Sequence, residues 1–329
     1  MGMEKQKIVW LEVQSPAVME EANRALPEGF VVVYPQSRTD REEHTRLIAE
    51  ADYLITQGIV VDREQIFQAK KLKMIQKFGV GVDKIDLEAA RERNIPVCIT
   101  AGANAVAVAE LAIALMLAVN RRLPYVDRAV RAGQWPKAEM RAQCYMLGDK
   151  TVGLIGIGNI AKEVARRLSG FGVKEILYYD IAPLSAEAEE RLGVHFASLE
   201  ELMAAADIVS IHVPLCDGTR GMIGKEQLAL MKPTSILINT SRGHIIDEAA
   251  LVEALWNKRI RGAGIDAFDE EPVSPDNPLL VLENTVLTCH YGGSVIDNVL
   301  PRARHAYGNI EKFSKGEPLD PRDIVVPKR

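Results

Sequence analysis

Residues 151–180 constrain this chain more than any other stretch. They read TVGLIGIGNIAKEVARRLSGFGVKEILYYD. The apolar run 152–155 reads as a parallel strand buried on both faces, which loses polar alternation. It leads into Gly156-Ile157-Gly158-Asn159-Ile160-Ala161, the G-x-G-x-x-G/A pattern, after which Val164, Ala165 and Leu168 recur at helical spacing. A second apolar strand, 176–179, ends on Asp180, 19 residues beyond Ala161.

Each part suits the binding of a dinucleotide. Gly156 lets the chain turn sharply off the strand, and Gly158 lets backbone approach a pyrophosphate. Ala161 is small enough for the helix to pack on the sheet. The helix N-terminus offers unpaired N–H groups and a partial positive charge to the phosphates. Asp180 would hydrogen-bond ribose hydroxyls and repel a 2′-phosphate, favouring NAD over NADP.

With 329 residues there is room for about two domains. The chain is 47% apolar and 26% charged with a formal charge of −5, so a nucleic-acid role has no electrostatic support. The start, MGMEKQKIVWLEV, lacks the apolar core of a signal peptide. Residues 105–119 are nearly all apolar, but Glu110 interrupts a run too short to span a bilayer, so we expect a buried or interface helix. Cys98, Cys144, Cys216 and Cys289 are far apart and form no C-x-x-C pair, which reads as reduced thiols in a cytoplasmic protein.

Residues 1–100 alternate apolar runs (8–13, 31–34, 53–56, 74–78, 97–99) with amphipathic segments (17–26, 41–51, 63–69, 87–93). That rhythm predicts a parallel sheet with helices on both faces, yet it holds no phosphate fingerprint. Its unusual piece is Gly79-Val80-Gly81-Val82-Asp83, directly after a strand. Glycines there free backbone N–H groups to face a small anion such as a carboxylate; equally, they can form a tight turn into a helix. After the helix over 105–120, ended by Arg121, Arg122 and Pro124, a polar stretch leads to the fingerprint. Candidate strands follow at 208–213, 235–239, 262–265 and 285–288, with helices at 199–205, 225–230 and 248–257. One more helix, about 294–313, and a Pro-rich tail close the chain. We therefore expect a nucleotide domain over 102–292 inserted into a substrate domain formed by 1–101 and 293–329, with the active site in a cleft between them.

Hydride transfer to a keto acid needs a cation for the carboxylate and carbonyl, a proton donor, and a group that keeps the donor protonated. Arg242, just after a strand, offers a bidentate guanidinium, although it can equally be a surface charge flanking a helix. Asp266 ends the next strand, Glu271 lies beyond it, and His290 ends the one after. A carboxylate against an imidazole favours imidazolium, so Glu271 and His290 form a candidate acid pair. Of the other histidines, His44 and His305 read as solvated, His195 as structural, His212 as pocket support, and His244 as a cleft residue without a partner in sequence. No His/Cys spacing suits a metal, and no G-x-S-x-G supports acyl transfer.

Nearly the whole chain resembles the D-isomer-specific 2-hydroxyacid dehydrogenases of the phosphoglycerate dehydrogenase-like group. The resemblance is carried by GVGVDKID at 79, GANAVAVAE at 102, GLIGIGNIA at 153 and HVPLCDGTRGMIG at 212, then by MKPTSILINTSRGHIIDEAAL at 231, GAGIDAFDEEP at 262 and CHYGGS at 289. It implies two doubly wound parallel-sheet domains, a Rossmann NAD-binding domain inserted into a flavodoxin-like substrate domain. It implies that Arg242 binds substrate, that His290 is the acid/base, and that Glu271 keeps the imidazole protonated. Val80 and Gly81 would hold the substrate carboxylate through backbone N–H groups, together with Arg242 and His290. The NAD pocket would comprise Gly156, Gly158, Asn159, Ile160, Asp180, Val213, Pro214, Thr219, Thr240, Ser241, Arg242, Asp266, His290 and Gly292, with Asp266 meeting the nicotinamide amide. A homodimer with the 105–120 helix region at its interface is implied as well.

Three departures from the family pattern matter. Cys289 stands where proline usually precedes the histidine, and Lys84 replaces a common asparagine. The stretch Gln57-Gly58-Ile59-Val60-Val61 has none of the arginines with which phosphoglycerate dehydrogenases meet the phosphate. A small keto acid of the glyoxylate, hydroxypyruvate or pyruvate type is therefore favoured over 3-phosphoglycerate. An NADH-sensing, corepressor-like protein without turnover is the reading from a different class. Formate oxidation would call for glutamine near Glu271.

Overall fold

The computed structural model describes residues 5–328 and divides into two compact units. One comprises the chain up to Asn104 together with the chain from Val295 onward; the other is Ala105–Ser294. In the first, strands β1 (Gln6–Trp10), β2 (Phe30–Val33), β3 (Tyr53–Thr56), β4 (Met74–Lys77) and β5 (Val97–Cys98) are all parallel and lie in the order β5-β4-β3-β1-β2. This is the flavodoxin-like doubly wound order.

The second unit holds β6 (Thr151–Ile155), β7 (Glu175–Tyr179), β8 (His195–Phe196), β9 (Ile208–Ile211), β10 (Ile236–Asn239), β11 (Gly262–Ile265) and β12 (Thr285–Leu287). Its order, β12-β11-β10-β9-β6-β7-β8, is parallel throughout and reverses direction between β6 and β9, as in the Rossmann fold. Strands β3, β4, β6, β9, β10 and β11 bury every residue. Helices cover both faces of each sheet, which is why these strands appear in the sequence as unbroken apolar runs.

Helix starts follow local chemistry. Ser15 caps Pro16–Asn23, and reciprocal capping boxes open Arg63–Gln68 (Asp62 with Gln65) and Leu199–Ala205 (Ser198 with Glu201). The polar stretch around and past Pro124, for which no element is expected from sequence, holds two helices, Leu123–Arg131 and Lys137–Arg141. Arg122 turns the chain at φ +50°, and Pro124 then sits in the first helical turn, where a missing N–H costs nothing. A helix over Ala186–Leu192, opened by Ser185 and closed by Gly193 at φ +66°, was not foreseen either.

The Pro-rich tail supplies β13 (Ile324–Val326), antiparallel to β5. Asp323, 2% exposed, fixes it by accepting from Ala101 N at 3.0 Å, Asn309 Nδ2 at 3.1 Å and His305 Nε2 at 2.6 Å. His305 is thus paired rather than solvated. His44 is also no surface group: it is 4% exposed, and its Nε2 meets the Ser37 carbonyl at 2.9 Å. No helix among the described residues is long and apolar enough to cross a membrane.

Candidate active site

The register of the second sheet places Gly156, His212, Thr240 and Asp266 side by side, one residue past the paired Ile155, Ile211, Asn239 and Ile265. This is the carboxyl edge at the switch point, where open α/β sheets bind ligands. Gly156 has φ +93°, and an added Cβ would lie 2.9 Å from the His212 carbonyl carbon. Only glycine fits a chain that turns this close to its neighbour.

The edge fits NAD on observations of the molecule itself. A Cβ at Gly158 would meet nothing within 4 Å. The helix Asn159–Leu168 starts there with no side-chain cap and no acidic residue in its first turn, leaving its N–H groups for an anion. Thr240 Oγ1 is buried without a partner among the described residues. Asp180 bonds Ile157 N at 2.8 Å and Ala182 N at 3.0 Å, which aims its carboxylate across the glycine turn and leaves lone pairs free for ribose hydroxyls. Ala161 is fully buried, as close helix–sheet packing requires.

Other pocket residues shape the loops. Thr219 Oγ1 donates to Pro214 O at 2.6 Å and accepts from Cys216 N at 2.9 Å, closing the turn after Val213. Ser241 Oγ donates to Ile211 O at 3.0 Å. His212 is 9% exposed with neither ring nitrogen bonded among the described residues. Burial pushes its pKa down to about 4, so it stays neutral at physiological pH.

Glu271 and His290 are in contact. His290 Nδ1 lies 2.8 Å and 2.9 Å from the two carboxylate oxygens of Glu271. Phe268 N donates to Glu271 Oε1 at 3.2 Å, which orients the carboxylate. His290 occupies the left-handed region at φ +52°, costing on the order of 1–2 kcal/mol for a residue with a Cβ. Asp266 holds that conformation. Its carboxylate, 1% exposed, accepts from Thr288 Oγ1 at 2.7 Å, Tyr291 N at 3.0 Å and Gly292 N at 3.1 Å, bracketing His290.

Arg242 leaves β10 through a turn closed by Asn239, whose Nδ2 donates to Arg242 O at 2.9 Å. Arg242 Nη1 donates to Ser241 O at 2.9 Å. The next residue, Gly243, lies against the loop that carries Asp266 and Glu271. A Cβ on it would come within 2.1 Å of the Phe268 carbonyl carbon. His244, without an obvious partner in sequence, pairs through Nδ1 with Asp269 at 2.9 Å.

In the first unit, the N–H groups of Val80 and Gly81 meet no acceptor among the described residues. Gly79, ahead of them, is fixed by Thr100, whose Oγ1 accepts from Gly79 N and whose N donates to Gly79 O, both at 2.9 Å. Sequence reasoning missed Thr100, Thr288 and Gly243. The signal for the first two was only a hydroxyl one residue past an apolar run.

A family model described as D-isomer specific 2-hydroxyacid dehydrogenase, NAD binding domain, matches residues 113–292. The chain is 42% identical over 259 residues to the glyoxylate reductase of Korarchaeum cryptofilum, covering 78% of this chain and 77% of that one. It is 38% identical over 303 residues to the D-3-phosphoglycerate dehydrogenase of Archaeoglobus fulgidus, covering 92% of this chain but only 57% of the longer protein. The solved structure of the NAD-dependent formate dehydrogenase from Staphylococcus aureus in complex with NAD matches with a TM-score of 0.85 at 29% identity, over 98% of this chain and 100% of that one.

Proposed function

The chain belongs to the D-isomer specific 2-hydroxyacid dehydrogenase family, and within it we propose a reductase for a small, unphosphorylated 2-keto acid such as glyoxylate or hydroxypyruvate. It is an NAD-dependent oxidoreductase that interconverts a keto acid and a hydroxy acid. NADH, when bound, supplies the hydride. The chain's own residues bind the acid, polarise its carbonyl and deliver a proton.

The observation that carries this reading is the contact between His290 Nδ1 and Glu271. With Nδ1 committed to the carboxylate, Nε2 is the nitrogen left to give its proton to the developing alkoxide. Arg242 supplies the cation for the substrate carboxylate and carbonyl. In the first unit, the N–H groups of Val80 and Gly81, which meet no acceptor among the described residues, are donors suited to a carboxylate. Asp266 acts by holding the His290 loop, with one lone pair remaining for the nicotinamide amide. The likeness to a phosphoglycerate dehydrogenase supports 3-phosphoglycerate as the second reading.

A steady-state panel of keto acids with NADH and NADPH in parallel tests the reading. We expect turnover of at least one small keto acid and a preference for NADH, because the Asp180 carboxylate would repel a 2′-phosphate and the next residues, Ile181 and Ala182, carry no cation. Preference for NADPH would contradict the role of Asp180, and silence across the panel would sink the enzymatic reading.

We further propose a homodimer. Leu123, Val130, Trp135 and Met146 are 46–78% exposed on one stretch of chain, and Trp256 and Val281, 68% and 73% exposed, help line a cavity of about 990 Å³. Such apolar exposure suits a surface covered by a second copy. Sedimentation at micromolar concentration should give twice the 36.3 kDa chain mass; a monomer would refute this. Four free cysteines fit a reducing compartment, the cytoplasm. Recovery of the native enzyme in disulfide-linked form would argue otherwise.

A further inference from the structure

We propose that Glu12 sets the charge selectivity of the substrate site, making this enzyme accept 2-keto acids with a neutral substituent and reject those with a phosphate or second carboxylate. The inference rests on the placement of the substrate carboxylate at Val80 and Gly81.

Strand β3 lies between β4 and β1, so the loops after Thr56 and Lys77 leave neighbouring strands from one edge, with Thr56 and Lys77 paired in register. The β3 loop presents three successive N–H groups, an arrangement that binds anions. Here the anion is part of the chain. Glu12, just past β1, accepts on one oxygen from Gln57 N at 2.6 Å, Gly58 N at 2.6 Å and Ile59 N at 3.0 Å. Its other carboxylate oxygen is buried with no partner among the described residues. The loop therefore lacks arginines, and the Glu12 carboxylate occupies these three backbone donors, closing them to a second anion.

Positive charge lies under the neighbouring loop. A Cβ on Gly79 would be 3.8 Å from Arg302 Nη2 and 3.9 Å from Lys77 Cε. Both cations are buried, at 5% and 4% exposure. Arg302 donates to Phe78 O at 2.7 Å and stacks 4.1 Å from the Phe78 ring centroid; Lys77 Nζ donates to Gln57 O, tying the two loops together. The cations of this edge thus lie under the β4 loop, and the Glu12 carboxylate lies at the β3 loop. With its carboxylate at Val80 and Gly81, a keto acid would direct its substituent toward the neighbouring β3 loop. A second anionic group there would face Glu12 in a partly buried site, where water screens it weakly.

The test compares hydroxypyruvate with phosphohydroxypyruvate, which share a carbon skeleton, and adds oxaloacetate, all with NADH. We expect wild-type kcat/KM to favour hydroxypyruvate by at least a hundredfold. E12Q keeps an acceptor oxygen for the three N–H groups but removes the charge. It should shrink that preference by at least tenfold, with NADH affinity retained as the check on folding. Wild-type enzyme that takes the phosphorylated or dicarboxylic acid as readily overturns the proposal, even if the variant does not fold. An unchanged ratio in a folded, NADH-binding E12Q overturns it too. Turnover of no keto acid by the wild type would remove the oxidoreductase reading and this inference together, whereas normal turnover with an unaltered ratio removes this inference alone.

Discussion

Replacing His290 with glutamine lowers kcat/KM for keto-acid reduction by roughly 10³-fold, the range for losing a positioned general acid. Glutamine keeps a polar group of similar reach but cannot carry a transferable proton. The geometry makes the loss specific. Nδ1 is held 2.8 Å from Glu271, and the backbone at φ +52° is fixed by Asp266 through the two following N–H groups. The variant should therefore fold and still bind NADH, measured by fluorescence titration. Glu271→Gln should cost less, about 10-fold to 100-fold, because Nε2 still exists and only the charge that favours imidazolium is gone. A His290 variant that keeps a tenth or more of wild-type turnover would refute the assignment of the proton donor.

Much of this architecture is legible in sequence because parallel strands are buried on both faces. The runs at 53–56 and 262–265 coincide with β3 and β11 residue for residue, and strand–helix alternation made the parallel sheets legible, whereas the Rossmann and flavodoxin-like orders were implied by the family resemblance. What escaped notice depends on contacts that no periodicity encodes. Leu123–Arg131 has a large polar face, and its proline argued for a break when it marks a beginning. β13 is three residues long and forms only because β5 offers an open edge. His305 looked like a surface charge until the fold set it against Asp323, 18 residues away. The Glu271–His290 contact was legible because both residues lie in the loops that follow the adjacent parallel strands β11 and β12, whose ends lie together. The Glu12 contact spans more than 40 residues and uses backbone donors, which have no sequence signature.

Gly243→Ala should damage the enzyme nearly as much as loss of His290, although Gly243 contributes no functional group. An added Cβ would lie 2.1 Å from the Phe268 carbonyl carbon, 2.3 Å from Asp269 N and 2.3 Å from Phe268 O. All three are backbone atoms, so no rotamer change relieves the clash and the loop from Asp266 to Glu271 must move by about an ångström or more to restore contact distance. That loop carries Asp266, which holds the His290 conformation, and Glu271, which holds its imidazole. Overpacking of this kind costs about 1–3 kcal/mol. At roughly 2–4 °C per kcal/mol for a unit of this size, Tm should fall by about 2–12 °C. An ångström of misplacement at reacting groups costs about 10²-fold in rate, so kcat should drop by at least that much in protein that is still folded at the assay temperature. Gly170→Ala is the control, because a Cβ there meets nothing within 4 Å and the variant should keep the Tm and kcat of the wild type. Wild-type stability and turnover in Gly243→Ala would mean that the close approach of the two loops is not what sets the acid pair in place.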